Sequence, residues 1–238
     1  MRRVQCLQPL SLCSFLVVLS TFIIVPTYQA SLQELPRIHR SPLPHQKVVV
    51  EKVTEYFYDD NDRDRAQIVL PGGSGKTFIG YTLAKNVLMG LNPNVDNNLR
   101  TVIVFLPTLT LIEQTLRAYY MEDPELIDYH KDCLCVCSRL SFTDVSITTS
   151  SEKVSDFLQD TTRPKIIFST YISARVVRDA RLQQPFGLCI LDEAHTTAGM
   201  GSFTNLPLNN QIIPSAKRLF MTGAFILFEI SIFHFISV

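Results

Sequence analysis

This sequence shows no excess of charge of either sign. Its 22 Lys and Arg balance 22 Asp and Glu over 238 residues, so composition makes no electrostatic case for nucleic acid, and any basic patch must be local. No internal repeat or low-complexity tract appears. No Asn-x-Ser/Thr sequon occurs, which weighs against a secretory route. Hydrophobic residues make up 46% of the chain, ample for a core, which excludes disorder throughout.

A disulfide framework is also lacking, although there are six cysteines: Cys6, Cys13, Cys133, Cys135, Cys137 and Cys189. Cys133, Cys135 and Cys137 alternate within an apolar run. On a strand they share one face, too far apart along it for disulfide geometry. A Cys-x-Cys-x-Cys metal clip is the alternative, but no further Cys or His pair lies at zinc-finger spacing. Buried thiols, acting as small hydrophobes, suit the pattern better.

Residues 1–30 read as an address. Arg2 and Arg3 precede an apolar run from Leu10 to Val25, no acidic side chain occurs before Glu34, and Ala30 offers a small residue for cleavage. The run is slightly short for a membrane span, which favours a cleaved signal or organelle presequence over a signal anchor. Tyr28, at the position three before such a cut, weighs against cleavage there, and the Ala30-Ser31-Leu32 junction could instead open the second part of a plastid presequence. The compartment therefore stays open between organelle and secretory routes, or nucleus and cytoplasm if the leader is a gene-model artefact.

Residues 31–65 form a proline-rich extended lead-in, then a helical pattern with Val49, Val50, Val53 and Phe57 on one face, then the charged stretch Asp59 to Arg65. Residues 66–222 alternate strands and helices. Strands are expected at Gln67 to Leu70, Thr101 to Leu106, Cys133 to Cys137, Lys165 to Ser169, Leu188 to Leu191 and Arg218 to Met221. Helices are expected at Thr77 to Met89, Leu109 to Tyr120, Ser151 to Gln159 and Ile172 to Leu182. Short, nearly continuous apolar strands suit a parallel sheet covered on both faces, so the pattern predicts a doubly wound α/β domain with ligands at the strands' carboxyl ends.

Two stretches carry chemistry. In Ile68-Val69-Leu70-Pro71-Gly72-Gly73-Ser74-Gly75-Lys76-Thr77 an apolar run enters a glycine-rich turn that closes on Gly-Lys-Thr before a helix. Such a turn points backbone N–H groups into an anion nest, to which the helix adds its positive end. Lys76 would reach the β- and γ-phosphates of ATP, and the Thr77 hydroxyl would ligate Mg²⁺. The alternative is a glycine-rich hairpin with an accidental lysine. In Leu188-Cys189-Ile190-Leu191-Asp192-Glu193-Ala194-His195 an apolar strand ends in adjacent carboxylates. Asp192 can hold the Mg²⁺ shell, while Glu193 can orient and deprotonate an attacking water as the catalytic base.

Gly73, Gly75, Lys76 and Thr77 resemble the A-x-x-G-x-G-K-T loop of superfamily 2 helicases, with Leu70 in place of the small residue, and Asp192-Glu193-Ala194-His195 is similar to their DEAH box. Read in order with Val102 to Gln114, Ile166 to Tyr171 and the Thr-Thr-Ala-Gly that follows His195, they resemble the type III restriction and UvrB-like branch over residues 40–222. The resemblance implies a P-loop NTPase, RecA-like doubly wound parallel sheet with helices on both faces. It implies ATP bound through Gln46, Gly73, Ser74, Gly75, Lys76, Thr77 and Asp192, with Gln46 of Pro44-His45-Gln46 reading adenine. It implies Mg²⁺ held by Thr77 and Asp192, and catalysis by Lys76 and Glu193. Pro107, Thr108, Ser169 and Thr170 would contact a nucleic-acid backbone, and His195 and Thr222 would couple nucleotide state to movement.

The implied activity is the ATP-binding half of a DNA helicase or ATP-dependent DNA translocase, with DNA preferred to RNA. After Met221-Thr222 the pattern departs from Thr-Ala-Thr-Pro, and residues 223–238 form an apolar tail that reads as a truncated or misjoined end. The second RecA-like domain, which supplies a catalytic arginine in such motors, has no counterpart within these residues. The expectation is weak nucleotide binding, slow hydrolysis and no unwinding. The rivals are a truncated nucleotide- or DNA-binding module without turnover, and a phosphate-loop kinase of a small molecule.

Overall fold

The computed structural model describes residues 31–38, 40–58, 63–92, 99–197 and 205–223, and the backbone of 235–236. The leader at 1–30, most of the charged stretch and most of the tail lie outside the described residues. The elements are α1 (Pro44–Tyr58), β1 (Arg65–Val69), α2 (Lys76–Leu88), β2 (Thr101–Leu106), α3 (Leu109–Glu122), β3 (Cys133–Val136), β4 (Ser146–Thr148), α4 (Ser151–Gln159), β5 (Lys165–Thr170), α5 (Ala174–Asp179), β6 (Phe186–Asp192), β7 (Ser215–Thr222) and β8 (Phe235–Ile236). Among the described residues no helix is long and apolar enough to cross a membrane.

All strands join one sheet in the order β4-β3-β5-β2-β6-β7-β1-β8, and every pairing is parallel. The doubly wound parallel arrangement expected from the sequence is the one observed. Its cause is visible in β2, where Val102, Val104 and Leu106 face one apolar layer while Ile103 and Phe105 face the other. On the first face α1, α2 and α3 bury Val49, Val53, Ile79, Leu83 and Leu116; on the second α4 and α5 bury Val154, Ala174 and Val177. Burying each large apolar side chain fully is worth roughly 1.5–3 kcal/mol. Of the valines expected on the inner face of α1, Val50 lies at the margin, only partly buried.

Three differences from the sequence expectations have local causes. Arg65, read as the end of a loop, opens β1 because its backbone pairs in register with Arg218 of β7. β4 has no apolar run to announce it and exists through pairing with β3, Leu134 opposite Ser146. α5 is much shorter than the span from Ile172 to Leu182, since Arg181 adopts φ of 49° and cannot continue a right-handed helix. Cys133, Cys135, Cys137 and Cys189 are buried free thiols, and burial pushes Cys137 up to about 12.

The lead-in is tied down rather than loose. Leu32 is buried, its N–H donates to both carboxylate oxygens of Asp144 at 3.1 and 2.8 Å, and the Ile38 N–H donates to the Met121 carbonyl at 2.7 Å. Arg40 pairs with Glu122 at the end of α3, at 3.1 Å.

Gly187 in β6 has no room for a side chain. A Cβ there would stand 2.0 Å from the Leu99 carbonyl oxygen and 2.9 Å from Val87 Cγ1. We expect Gly187→Ala to destabilise the domain by at least about 3 kcal/mol, because a backbone atom must move to admit the methyl. Chemical denaturation checks this; a loss below about 0.5 kcal/mol would contradict the packing of β6 described here.

Candidate nucleotide and nucleic-acid sites

In a parallel sheet all carboxyl ends fall on one edge, so the tips of β1, β6 and β7 present their following residues together. β1 leads into the glycine loop. Gly73 and Gly75 take φ of 78° and 87°, left-handed values that a side chain would strain. Ser74 closes the turn on Pro71, its hydroxyl donating to the Pro71 carbonyl at 2.7 Å. Gly75 also has no room for a methyl, since its Cβ would lie 2.1 Å from Gln46 Nε2. Gly75 caps α2, and the first intrahelical bonds come from the N–H groups of Phe78 and Ile79, at 2.9 and 3.1 Å. The N–H groups of Lys76 and Thr77 precede that ladder and point out of the helix end, as an anion requires.

The ammonium of Lys76 donates to the Leu70 carbonyl at 3.2 Å and lies 3.8 Å from Glu193 Oε1. The other Glu193 oxygen is 3.2 Å from His195 Nδ1, and that nitrogen is 3.1 Å from the Thr222 hydroxyl at the tip of β7. The residues nominated from two distant stretches thus share one locus. Glu193 holds φ of 48°, unusual for a residue with a side chain, and this turn aims its carboxylate back toward Lys76. A cleft of about 420 Å³ opens over the loop, lined by Gly73, Gly75, Lys76, Thr77, Asp192 and Glu193.

The same cleft runs on between α2 and α3 past Phe78 and Tyr81 to Arg40 and Glu122. No motif announces this extension, because it is assembled from the lead-in and two helices. Gln46 is buried beside the loop: its amide N–H donates to the Ser74 carbonyl at 3.2 Å, and its oxygen accepts from the Leu43 N–H at 3.0 Å. His45 Nε2 lies 3.0 Å from the same carbonyl.

The residue set fits a magnesium triphosphate. Positive-φ glycines leave the nest open, with nothing within 4 Å of a Cβ at Gly72 or Gly73, and Lys76, Thr77, Asp192 and Glu193 supply a cation, a hydroxyl and two carboxylates around it.

The nominated nucleic-acid contacts divide. Pro107, Thr108 and Thr170 line a second cavity of about 430 Å³ at the ends of β2 and β5. Thr108 is exposed, and its oxygen caps α3 by accepting from the Leu111 N–H at 3.2 Å, leaving the hydroxyl proton to donate outward. The Thr170 hydroxyl is spent: it donates to Ser173 Oγ at 2.8 Å and accepts from the Ser173 N–H at 3.2 Å. Ser169 does not reach the cavity, being fully buried with its hydroxyl on the Thr170 carbonyl at 3.0 Å. Alternation along β5 sends it inward. Ser138, Thr149, Ser173 and Arg175, which the sequence did not single out, also line it, together with the apolar Leu109, Ile172 and Val176.

Asp192 is only 7% exposed, and burial followed by the neighbouring Glu193 charge raises its pKa from 3.8 to about 6. A folded pKa above the unfolded one means that folding disfavours the ionised form. The penalty grows from pH 4 and is fully present above pH 6. Asp192→Asn, which keeps an oxygen for the Glu193 N–H, should therefore stabilise the metal-free chain on the order of 2 kcal/mol at pH 7.5 and leave it unchanged near pH 4. Denaturant melts with chelator at both pH values check this, and equal effects at the two would contradict it.

A family model described as the res subunit of type III restriction enzymes matches residues 39–227. No curated protein matches the chain. Among solved structures the chain is similar to a nuclease-deletion mutant of the type ISP restriction-modification enzyme LlaGI with a DNA substrate mimic. That match has 24% identity and a TM-score of 0.61, over 78% of this chain and 18% of that one. The Hef helicase domain of Pyrococcus furiosus matches at 17% identity and TM-score 0.54, over 82% and 37%. The SWI2/SNF2 ATPase core of Sulfolobus solfataricus with double-stranded DNA matches at 16% and 0.51, over 82% and 34%. These likenesses identify the fold as a RecA-like helicase domain, and the chain spans only a minor part of each protein's length.

Proposed function

The chain belongs to the type III restriction enzyme res-subunit family, among the superfamily 2 helicase ATPase domains, and on that premise we propose that it is the ATP-binding half of a DNA helicase or ATP-dependent DNA translocase. The observation that carries this is the approach of Lys76 to Glu193, 3.8 Å apart at the mouth of the glycine nest.

Each residue's work follows from its chemistry. The N–H groups at the start of α2 bind phosphate oxygens, and Lys76 neutralises charge on the transferring phosphate. Thr77 and Asp192 would hold Mg²⁺, which would supply Lewis-acid neutralisation of the phosphate oxygens. In the free chain Lys76 is divided between the Leu70 carbonyl and Glu193. A triphosphate competes for that ammonium and releases the carboxylate, which orients a water and accepts its proton. Glu193 touches His195, and His195 touches Thr222, so a shift of the base on nucleotide exchange is passed to the tip of β7.

DNA is the preferred partner because the LlaGI and SWI2/SNF2 relatives were solved with DNA, and because hydroxyls and a guanidinium line the second cavity of this chain on the same sheet edge. RNA is the alternative, compared in the same assay.

We expect DNA to stimulate ATP hydrolysis by the purified chain, and Glu193→Gln to lower the rate about a hundredfold or more while nucleotide still binds. Lys76→Ala should weaken nucleotide binding itself. Equal background rates for wild type and Glu193→Gln, with and without DNA, would favour the other reading, a nucleotide- or DNA-binding module without turnover. A rate that responds to a small-molecule acceptor instead of DNA would indicate a kinase.

A further inference from the structure

Tyr119 of α3 lies under the nucleotide cleft, outside both motifs that carry its chemistry. Its ring packs as a core aromatic, edge to face against Tyr81 of α2 at 5.5 Å between centroids and against Phe168 of β5 at 5.6 Å. A phenylalanine would pack as well. The hydroxyl is the surplus. The residue is only 1% exposed, yet it lines the cleft with Asp192 and Glu193, and among the described residues its hydroxyl has no hydrogen-bond partner. A buried hydroxyl without a partner is destabilising, so this one needs an acceptor from the cleft.

Helix α2 leaves room for that hydroxyl. Gly80 is buried inside the helix, where glycine is less favourable than alanine. A Cβ there would stand 3.0 Å from Met221 Cε and 3.1 Å from the Tyr119 oxygen, so a side chain at 80 would crowd both. Met221 is the register partner of Asp192, and strand alternation sends both side chains to the face that α2 and α3 cover. The phenol is thereby set beside the strand neighbour of the metal-site aspartate. Burial first, and the Asp192 charge next, hold its pKa well above the ordinary 10, so it keeps a proton to donate.

Three carboxylates line this cleft. Glu122 is held by Arg40 at 3.1 Å, and Glu193 lies between Lys76 and His195. Asp192 takes one hydrogen bond among the described residues, from the Glu193 N–H to Oδ1 at 3.0 Å, which leaves its other oxygen unengaged. We propose that Tyr119 is a positioning residue for Asp192, its hydroxyl donating to that second carboxylate oxygen when the magnesium nucleotide is bound and so fixing how the carboxylate faces the metal. This assignment rests on the nucleotide reading above and adds to it a residue that neither motif contains.

The test removes the hydroxyl and keeps the ring. Binding of a fluorescent non-hydrolysable ATP analogue to the full chain is titrated with Mg²⁺ and repeated in chelator, for wild type, Tyr119→Phe, Asp192→Ala and the pair together, with thermal melts of each. Tyr119→Phe should raise the Mg²⁺ concentration at half-saturation about tenfold, and its difference from wild type should close in chelator. Beside Asp192→Ala, loss of the hydroxyl should change binding by less than about twofold. Gly80→Ala, which crowds the hydroxyl, should weaken the Mg²⁺ response of the wild-type chain but not that of Tyr119→Phe. An equal loss with metal and with chelator would mark packing alone and overturn the inference, as would a loss that persists in full beside Asp192→Ala. A Mg²⁺ response in Tyr119→Phe identical to wild type also overturns it and leaves the nucleotide reading intact. A wild-type chain that binds no analogue in Mg²⁺ overturns that reading as well.

Discussion

Three parallel strand tips hold one ammonium against a carboxylate pair, and the rest of the site depends on that arrangement. The register that sets Val69 opposite Thr222, and Asp192 opposite Met221, fixes the glycine loop beside the acidic turn. Asp192 and Glu193 are adjacent charges in a partly dry cleft, and their mutual repulsion adds to burial in raising the pKa of Asp192. Lys76 offsets part of that repulsion from 3.8 Å on the Glu193 side. Lys76 therefore compensates the carboxylates only in part.

The second cavity, at the ends of β2 and β5, is joined to this site through Tyr171. Tyr171, the residue between Thr170 and Ile172, is buried, stacks on Phe105 at 6.0 Å and donates its hydroxyl to the Asp192 carbonyl at 2.8 Å. Tyr171 thus ties the turn after β5 to the end of β6, where the acidic pair begins. On the other flank, the Leu70 N–H donates to the Thr222 carbonyl at 3.0 Å, which ties the loop entrance to the tip of β7.

Much of this was legible in the sequence because it is written locally. The glycine loop needs positive φ at Gly73 and Gly75, and the acidic pair needs only a strand to end at Asp192; both demands appear as residue types at fixed spacing. The nearly continuous apolar run of β2, which a sheet covered on both faces requires, was equally plain. What the sequence could not show was assembly across distance. β4 is made by its neighbour, the cleft's extension toward Arg40 and Glu122 needs the lead-in to cross α3, and Ser173, Arg175 and Ile172 become a groove only when β2 and β5 lie side by side. Ser169 and Thr170 show the converse. A motif nominated both hydroxyls for a ligand, while strand alternation turned one inward and a local turn consumed the other.

The most direct test is a double-mutant cycle on Mg²⁺-dependent binding of a fluorescent non-hydrolysable ATP analogue, with Lys76→Ala, Asp192→Ala and the pair together. If the two side chains grip one magnesium triphosphate, their losses will fail to add, with a coupling above about 0.5 kcal/mol that disappears when the metal is chelated. Additive losses, unchanged by chelator, would contradict a shared ligand.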